Sequence, residues 1–585
     1  MKNVKNLFGM AVMATALVGC SSNDNLNPNP NDNAGKAGEA YASFKINLPT
    51  VSGTRADDPK PGEPSFNGGD ANEYAVNDAT LLVFKKVTEG SKDVYKYQEA
   101  VELGNMEPWT KKVPANGGIT TTAKMTAKLT NASVGSNDYY ALILLNNNYN
   151  AGASTAKIKY PTKNQSFSDW SKDVGNATPA NYLNYDNGFF MANAPKYVAN
   201  GEPETLVKIS AIYASKQQAE NSTATTVYVE RGLAKVSLAE GSKKHVDILA
   251  GNYKDDKVDI TGWTLDVTNT KTFPVHVTEG LWKDIWKTTV TPAATNDATM
   301  GRFYDSKLTE FPRVYWGADP NYSDDYKTVG ACEGEFNLVA NQTDLSKAFK
   351  TGEEAKKPQY CLENTFDIDH MVQGQTTRVL FSAKYTPKDF KPGETFYKMG
   401  NSSQLWNAAK VVAQIKAKAM EVFKEADADK VEVILTGTDL AKAGIHLITK
   451  ANVKHGTAEI SDGDITAINT KLGFKAASGT DPMVGLSTYV DGVSYYIARV
   501  KHFGDYLTKW EAGNDTYNSN NINWLGRYGV LRNNWYELSV NSVSGPGYPD
   551  VPKVNPTDPD DVNDQYINVE VKILDWAMRK QVIDL

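Results

Sequence analysis

Tyr41–Pro49 reads YASFKINLP, and Tyr566–Trp576 reads YINVEVKILDW. In the first, Phe44, Ile46 and Leu48 alternate with polar residues. In the second, Ile567, Val569, Val571 and Ile573 alternate with Asn568, Glu570, Lys572 and Leu574. A period of two, unbroken by Gly or Pro, is the mark of a half-buried β-strand. Each strand joins the rest of the chain through a stretch poor in apolar residues. VSGTRADDPKPGEPSFNGGD follows the first, with Arg55 in a setting suited to proteolytic nicking, and SGPGYPDVPKVNPTDPDDVNDQ precedes the second. The expectation is a strand at each end of the chain, tethered by loops with little capacity to pack.

Between these ends further strands are expected over Ala79–Val87, Tyr139–Leu145, Thr225–Leu238, Asp259–Thr268, Arg378–Tyr385, Val431–Leu435 and Ser494–Phe503. Asp491-Gly492 between STYV and VSYY predicts a hairpin closed by a type I′ turn. Ser403–Ala426 differs from the rest. Leu405, Ala409, Val412, Ile415, Ala419, Val422 and Phe423 recur at three and four, which predicts one amphipathic helix capped by Ser403. The chain is 585 residues long, too long for a single ordinary core, and its 30 Tyr and β-branched stretches point to an all-β protein.

Residues 1–20 carry Lys2 and Lys5 ahead of a short apolar run from Leu7 to Val18, the pattern of a cleaved signal peptide. Leu17-Val18-Gly19-Cys20 resembles a bacterial lipobox, which makes Cys20 the expected lipidation site and a membrane surface the expected anchor. Residues 21–55 then hold a polar tether and the first strand. In an exported protein Cys332 and Cys361 are expected to form a disulfide, the alternative being two separate buried thiols.

The chemistry of the chain points away from catalysis. A net charge of −7 argues against nucleic acid as a partner. The six His are scattered, with no metal-binding pair at helical spacing, nucleophile elbow or phosphate loop. Asp367-Ile368-Asp369-His370 and the trio Asp558, Asp560 and Asp564 lack what would complete a metal shell. No catalytic residue, cofactor or metal is expected. The 11 Trp and 30 Tyr leave a surface glycan-binding lipoprotein as an alternative, with an envelope hydrolase behind it.

Several strings resemble the fimbrillins of Bacteroidales, the shaft subunits of type V pili. They are Val229-Glu230-Arg231-Gly232-Leu233-Ala234-Lys235-Val236, Trp263-Thr264-Leu265-Asp266-Val267-Thr268-Asn269, and Arg313-Val314-Tyr315-Trp316 with Asp319-Pro320-Asn321-Tyr322. Tyr360–Thr365, Thr376–Leu380, Tyr528-Gly529-Val530 and Arg532–Tyr536 complete the set. The resemblance implies two transthyretin-like β-sandwich domains, here over residues 56–285 and 286–585, with one added helix in the second. It implies an outer-membrane lipoprotein precursor cut by an Arg-specific surface protease between Arg55 and Ala56. It further implies that the strand Tyr41–Pro49 is lost and replaced by the strand Tyr566–Trp576 of another subunit, with Ile567, Val569, Val571 and Ile573 entering the groove. The partners implied are further copies of the chain, anchor and tip subunits, and surface ligands of host or bacterial cells. A tip adhesin is the alternative within the family.

Overall fold

The computed structural model describes residues 39–48, 73–104, 106, 107, 109, 121–147, 157–173, 188–198, 203–279, 303, 312–321, 329–342, 344–366, 370–478, 481–502, 526–554, 556, 558, 560 and 567–575. Its first sheet has eight strands: β1 (Ala40–Asn47), β2 (Ala79–Glu89), β3 (Lys92–Glu102), β4 (Thr122–Leu129), β5 (Tyr139–Leu145), β6 (Met191–Asn193), β7 (Val207–Lys208) and β8 (Thr225–Arg231). They run in the order β3-β2-β5-β6-β8-β1-β4, with β7 also on β5. Leu81, Val83, Ala141 and Ile143 share one core with Phe44, Ile46, Ala127 and Val227. The β2/β5 half of the sheet therefore faces the β1/β4/β8 half. The opposite faces of β2 and β5 are buried too, through Leu82, Phe84, Leu142 and Leu144. Burial on both faces is why these two strands read as continuous apolar runs.

A single residue, Gly232, separates β8 from β9 (Leu233–Leu238), and there the core changes. Val227 and Val229 belong to the first core, whereas Ala234 and Val236 belong to a second. The expected domain boundary near residue 285 lies outside the described residues. The second core lies between two sheets. One is built of β10 (His245–Asp247), β11 (Lys257–Asp266), β16 (Arg378–Thr386) and β23 (Val493–Arg499), with β14 (Lys350–Thr351) on β11. The other runs β15-β9-β24-β25, where β15 is Gln359–Leu362, β24 is Asn534–Val543 and β25 is Ile567–Asp575. A short pair, β12 (Thr268–Asn269) and β13 (Phe336–Asn337), completes this region.

Strands β16 and β23 pair antiparallel, Lys384 opposite Val493, yet a whole unit with its own core is inserted between them. It holds β17 (Phe396–Met399), β18 (Leu405–Trp406), β20 (Gly444–His446) and β22 (Leu486–Tyr489) in one sheet, and β19 (Val431–Val433) with β21 (Val453–His455) in another. Two helices cover them. The first, Ala408–Phe423, is shorter than the expected Ser403–Ala426 because Leu405–Trp406 is taken up as a strand and Asn407, not Ser403, caps it. The second, Asp462–Leu472, was not expected from the sequence. Its Ser461 and Asp464 side chains cap each other's backbone N–H groups, and Gly473 ends it in the left-handed region.

Two further expectations are corrected. Asp491 and Gly492 do take positive φ, 52° and 69°, but they do not close a hairpin. Strand β22 pairs with β17 and β20, and β23 pairs with β16, so the turn carries the chain from the inserted unit back to the main sheet. The backbone of Tyr385 passes so close to Gly492 that a Cβ there would meet its carbonyl oxygen at 2.7 Å. The second correction concerns the described residues of the segment before β25, which pack. Val551 and Val554 are buried, Arg378 Nη2 donates to the Pro552 carbonyl at 2.8 Å, and buried Asp560 accepts from Thr376 Oγ1 at 2.6 Å and Arg499 Nη1 at 3.2 Å. Asp266 balances Arg378 from the other side. Polar residues that the composition assigns to solvent are held by two buried arginines.

Candidate assembly site

Strand β1 is an inner strand. It pairs antiparallel with β4 from Ala40–Leu129 to Asn47–Thr122, and parallel with β8 from Phe44–Thr225 to Asn47–Tyr228. The β4 strand has no sheet neighbour other than β1 among the described residues. Ala40, Ala42, Phe44, Ile46 and Leu48 are all buried in the first core. On the opposite face Ser43 is buried as well. Its hydroxyl lies 2.7 Å from the Ala219 carbonyl in helix α1 (Lys216–Glu220) and 2.8 Å from Thr126 Oγ1. Lys45 is the one exposed residue of the strand. At the strand's start Glu39 accepts from Lys128 at 2.7 Å and from the Tyr41 hydroxyl at 2.8 Å. Removing β1 would open a slot between β4 and β8, and withdrawing Phe44, Ile46 and Leu48 alone costs about 4–9 kcal/mol of apolar burial.

The slot is connected through the strands to the C-terminal strand. Strand β8 continues through Gly232 into β9, β9 pairs parallel with β24, and β24 pairs antiparallel with β25. This joint is dense in buried charge. Glu230 accepts from Arg313 at 2.5 Å and faces His276 Nδ1 at 2.8 Å, while Arg532 pairs with Glu363 at 2.7 Å. Lys235 pairs with Glu73 at 2.6 Å and lies 3.5 Å from the centre of the Trp535 ring. The same Glu73 carboxylate accepts from the Tyr360 hydroxyl, and its carbonyl accepts from Arg231 Nε at 2.5 Å. Burial pushes the Glu230 carboxyl up, but Arg313, His276 and Arg532 outweigh it and hold the group down at about 2. Breaking one partner of such a pair leaves a buried charge uncompensated, at a cost of about 3–5 kcal/mol.

A second polar cluster lies beside the joint. Asp319 accepts from the Asn321 backbone and side chain, from Asn269 Nδ2 at 2.7 Å and from the Thr365 N–H at 3.0 Å. Burial raises its carboxyl to about 7 in spite of these donors. Asn364 Nδ2 in turn donates to Asn269 at 2.8 Å. Strings far apart in the sequence thus meet at one place: Glu230 to Lys235, Asn269, Arg313 to Asn321, Glu363 to Thr365, and Arg532 to Trp535. Reading the sequence picked out these strings but not their ion pairs, and it missed Glu73, His276 and the slot wall β4.

The expected sites divide as follows. Cys20, Arg55 and Ala56 lie outside the described residues. Ile567, Val569, Val571 and Ile573 fall in β25, which among the described residues is an edge strand paired with β24 of its own subunit over Val543–Ile567 to Asn534–Asp575. Cys332 and Cys361 are each buried and are not joined to one another. Cys361 belongs to the second core on β15, and Cys332 packs near Gly374 and Pro556. Burial pushes their thiols up to about 12 and about 11 respectively. The disulfide expectation is corrected: these are two separate core thiols.

Comparison with known proteins adds the following. Residues 487–582 match the family described as major fimbrial subunit protein type IV, fimbrillin, C-terminal. That stretch holds β23, β24 and β25, so the chain carries a fimbrillin C-terminal region. No curated protein matches the chain. A candidate cell adhesion protein from Parabacteroides distasonis is similar in structure at 12% identity and a TM-score of 0.34, over 92% of this chain and 98% of that one. The fimbrilin FimA from Porphyromonas gingivalis is similar at 12% identity and a TM-score of 0.33, over 92% of this chain and 99% of that one. A candidate cell adhesion protein from Bacteroides eggerthii scores 0.29 at 12% identity, over 92% of this chain and 96% of that one.

Proposed function

We propose that this chain is a structural shaft subunit of a cell-surface fimbria and polymerises by strand exchange. The precursor is held at the outer membrane through lipid on Cys20, and cleavage after Arg55 detaches β1 from the chain. The slot between β4 and β8 then takes the C-terminal strand of another copy. Repeated head to tail, the contact does not close on itself and builds a filament. Anchor and tip subunits finish its two ends, and the filament supports adhesion.

The observation that carries this reading is the position of β1. It is the only described strand ahead of Arg55, and it sits inside a sheet with a neighbour on each side. A slot of that kind exposes unpaired backbone groups and apolar pockets once emptied, and a new strand satisfies both. The fimbrillin C-terminal match supports the same reading. A glycan platform finds less support, because no aromatic ring among the described residues is fully exposed. The test is limited proteolysis of the unlipidated precursor with an Arg-specific protease, followed by gel electrophoresis without boiling. The native sequence should give a ladder of multimers, while Arg55→Ala and a chain ending at Gln565 should not. A chain cut at Arg55 that stays monomeric overturns the proposal.

A further inference from the structure

The slot discriminates between registers, and this selects how the incoming strand must lie. Its inward positions, those of Ala40, Ala42, Phe44, Ile46 and Leu48, are buried; so is Ser43 on the other face; Lys45 is exposed. An incoming strand running in the direction of β1 must turn Ile567, Val569, Val571 and Ile573 inward, so its registers differ by steps of two. With Ile567 at the place of Ala40, Glu570 would fall on buried Ser43 against the Ala219 carbonyl, and Asp575 on buried Leu48. Each buries a carboxylate, with the Thr126 hydroxyl as one donor beside the Ser43 place, which is unfavourable. With Ile567 at the place of Phe44, Gln565 and Asn563 would fill the apolar sites of Ala42 and Ala40.

One register has the fewest conflicts: no carboxylate is buried, and a single polar residue, Gln565, meets a buried apolar site, that of Ala40. With Ile567 at the place of Ala42, Val569, Val571 and Ile573 take the sites of Phe44, Ile46 and Leu48. Asn568 falls on Ser43, where its amide can donate to the Ala219 carbonyl, and Glu570 falls on exposed Lys45. The larger Gln565 replaces Ala40 at the strand's first position. The sequences agree outside the slot's centre as well: Glu39-Ala40-Tyr41 is matched by Asp564-Gln565-Tyr566, an acid two residues before a tyrosine.

Resting on the strand-exchange reading above, we propose that Glu570 of one copy pairs with Lys124 of the next and that this pair sets the register. In β1 the residue directly opposite Lys124 is Lys45, a like charge, and the Lys124 ammonium donates instead to the Glu220 carbonyl at 2.7 Å. Like charges directly opposite in a sheet are unfavourable and opposite charges favourable. The exchanged strand replaces a like-charge pair with an attractive one at the most exposed position of the slot. Glu570 and Lys124 are specificity-determining residues, and apolar burial supplies the bulk of the affinity.

The experiment uses the full chain, cut with the Arg-specific protease, in two sets. In the first, Glu570→Cys and Lys124→Cys are combined in one chain and multimers are oxidised; the comparison chain combines Lys572→Cys with Lys124→Cys. The expected result is cross-linking of the Glu570→Cys chain only, since directly opposed residues bring their Cβ atoms to disulfide distance. In the second, Glu570→Lys and Lys124→Glu should each slow multimer formation by roughly two- to five-fold, and the double exchange should restore it. Cross-linking through Lys572→Cys, or charge reversal without effect in a chain that still forms multimers, overturns the register. Failure of the unaltered chain to form multimers overturns strand exchange itself.

Discussion

The two terminal strands look alike in sequence and are placed differently in the fold. Strand β1 lies between β4 and β8, bonded along both edges, with its inward face in the first core and Ser43 buried on the other. Among the described residues, strand β25 is bonded along one edge only, to β24. The difference bears on how each could leave. An inner strand cannot be withdrawn from its slot while it remains part of a continuous chain without tearing two ladders, so it needs a cut. An edge strand gives up one ladder and can go while still attached. The strand that lies ahead of Arg55 is the one that needs cutting.

Deleting each strand in turn tests this contrast most strongly. A chain lacking residues 40–48 should lose the cooperative unfolding transition of the first core and expose apolar surface that binds a hydrophobic dye. A chain lacking residues 566–585 should stay folded and monomeric, with a transition lowered by several degrees, as for a loss of roughly 1–2 kcal/mol. Equal loss in the two chains would remove the distinction between inner and edge strand.

The joint between the two regions comes next in size. Glu230→Ala should cost about 3–5 kcal/mol by chemical denaturation, because Arg313 and His276 are left facing an empty site. The pH dependence has a definite sign. Glu230 is held at about 2 in the folded protein against an ordinary value of 4.5. Its contribution is therefore present in full above pH 4.5 and is lost as the pH falls from there towards 2. Glu230→Gln should flatten that part of the stability curve.

Ser43→Ala is the smallest test. It removes a buried hydroxyl that bridges β4 and helix α1 and should cost about 1 kcal/mol in the uncut precursor. After cleavage, with β1 gone, the same substitution should leave multimer stability unchanged, as read from the melting of the ladder.

Much of the strand inventory was legible. Tyr139–Leu145 and Arg378–Thr386 stand where the apolar runs place them, and Thr225–Leu238 is interrupted only at Gly232. Strand β4 was not legible, since TAKMTAKL alternates small and charged residues with few large apolar ones. Its inward Ala123 and Ala127 stand directly opposite Ile46 and Ala42 of β1 in the same sheet and share its core. The helix Asp462–Leu472 was hidden by an opening of Ser, Asp and Gly that reads as a turn, although Ser461 and Asp464 form a capping box and Ile465, Ile468 and Leu472 recur at helical spacing.

Periodicity and composition were enough for the terminal strands, their apolar faces and the β character of the chain, because burial of one strand face depends on neighbours two residues away. Three things depended on residues far apart in the sequence. These are the inner place of β1, the pairing of Glu230 with Arg313 and of Arg532 with Glu363, and the docking of Pro552 on Arg378 and of Asp560 on Arg499. A charged or polar residue reads as exposed until its partner is known, and only the packed chain brings that partner within reach. The two thiols make the same point from the other side: Cys332 and Cys361 are close in sequence and share a compartment, yet the fold buries each in a separate place.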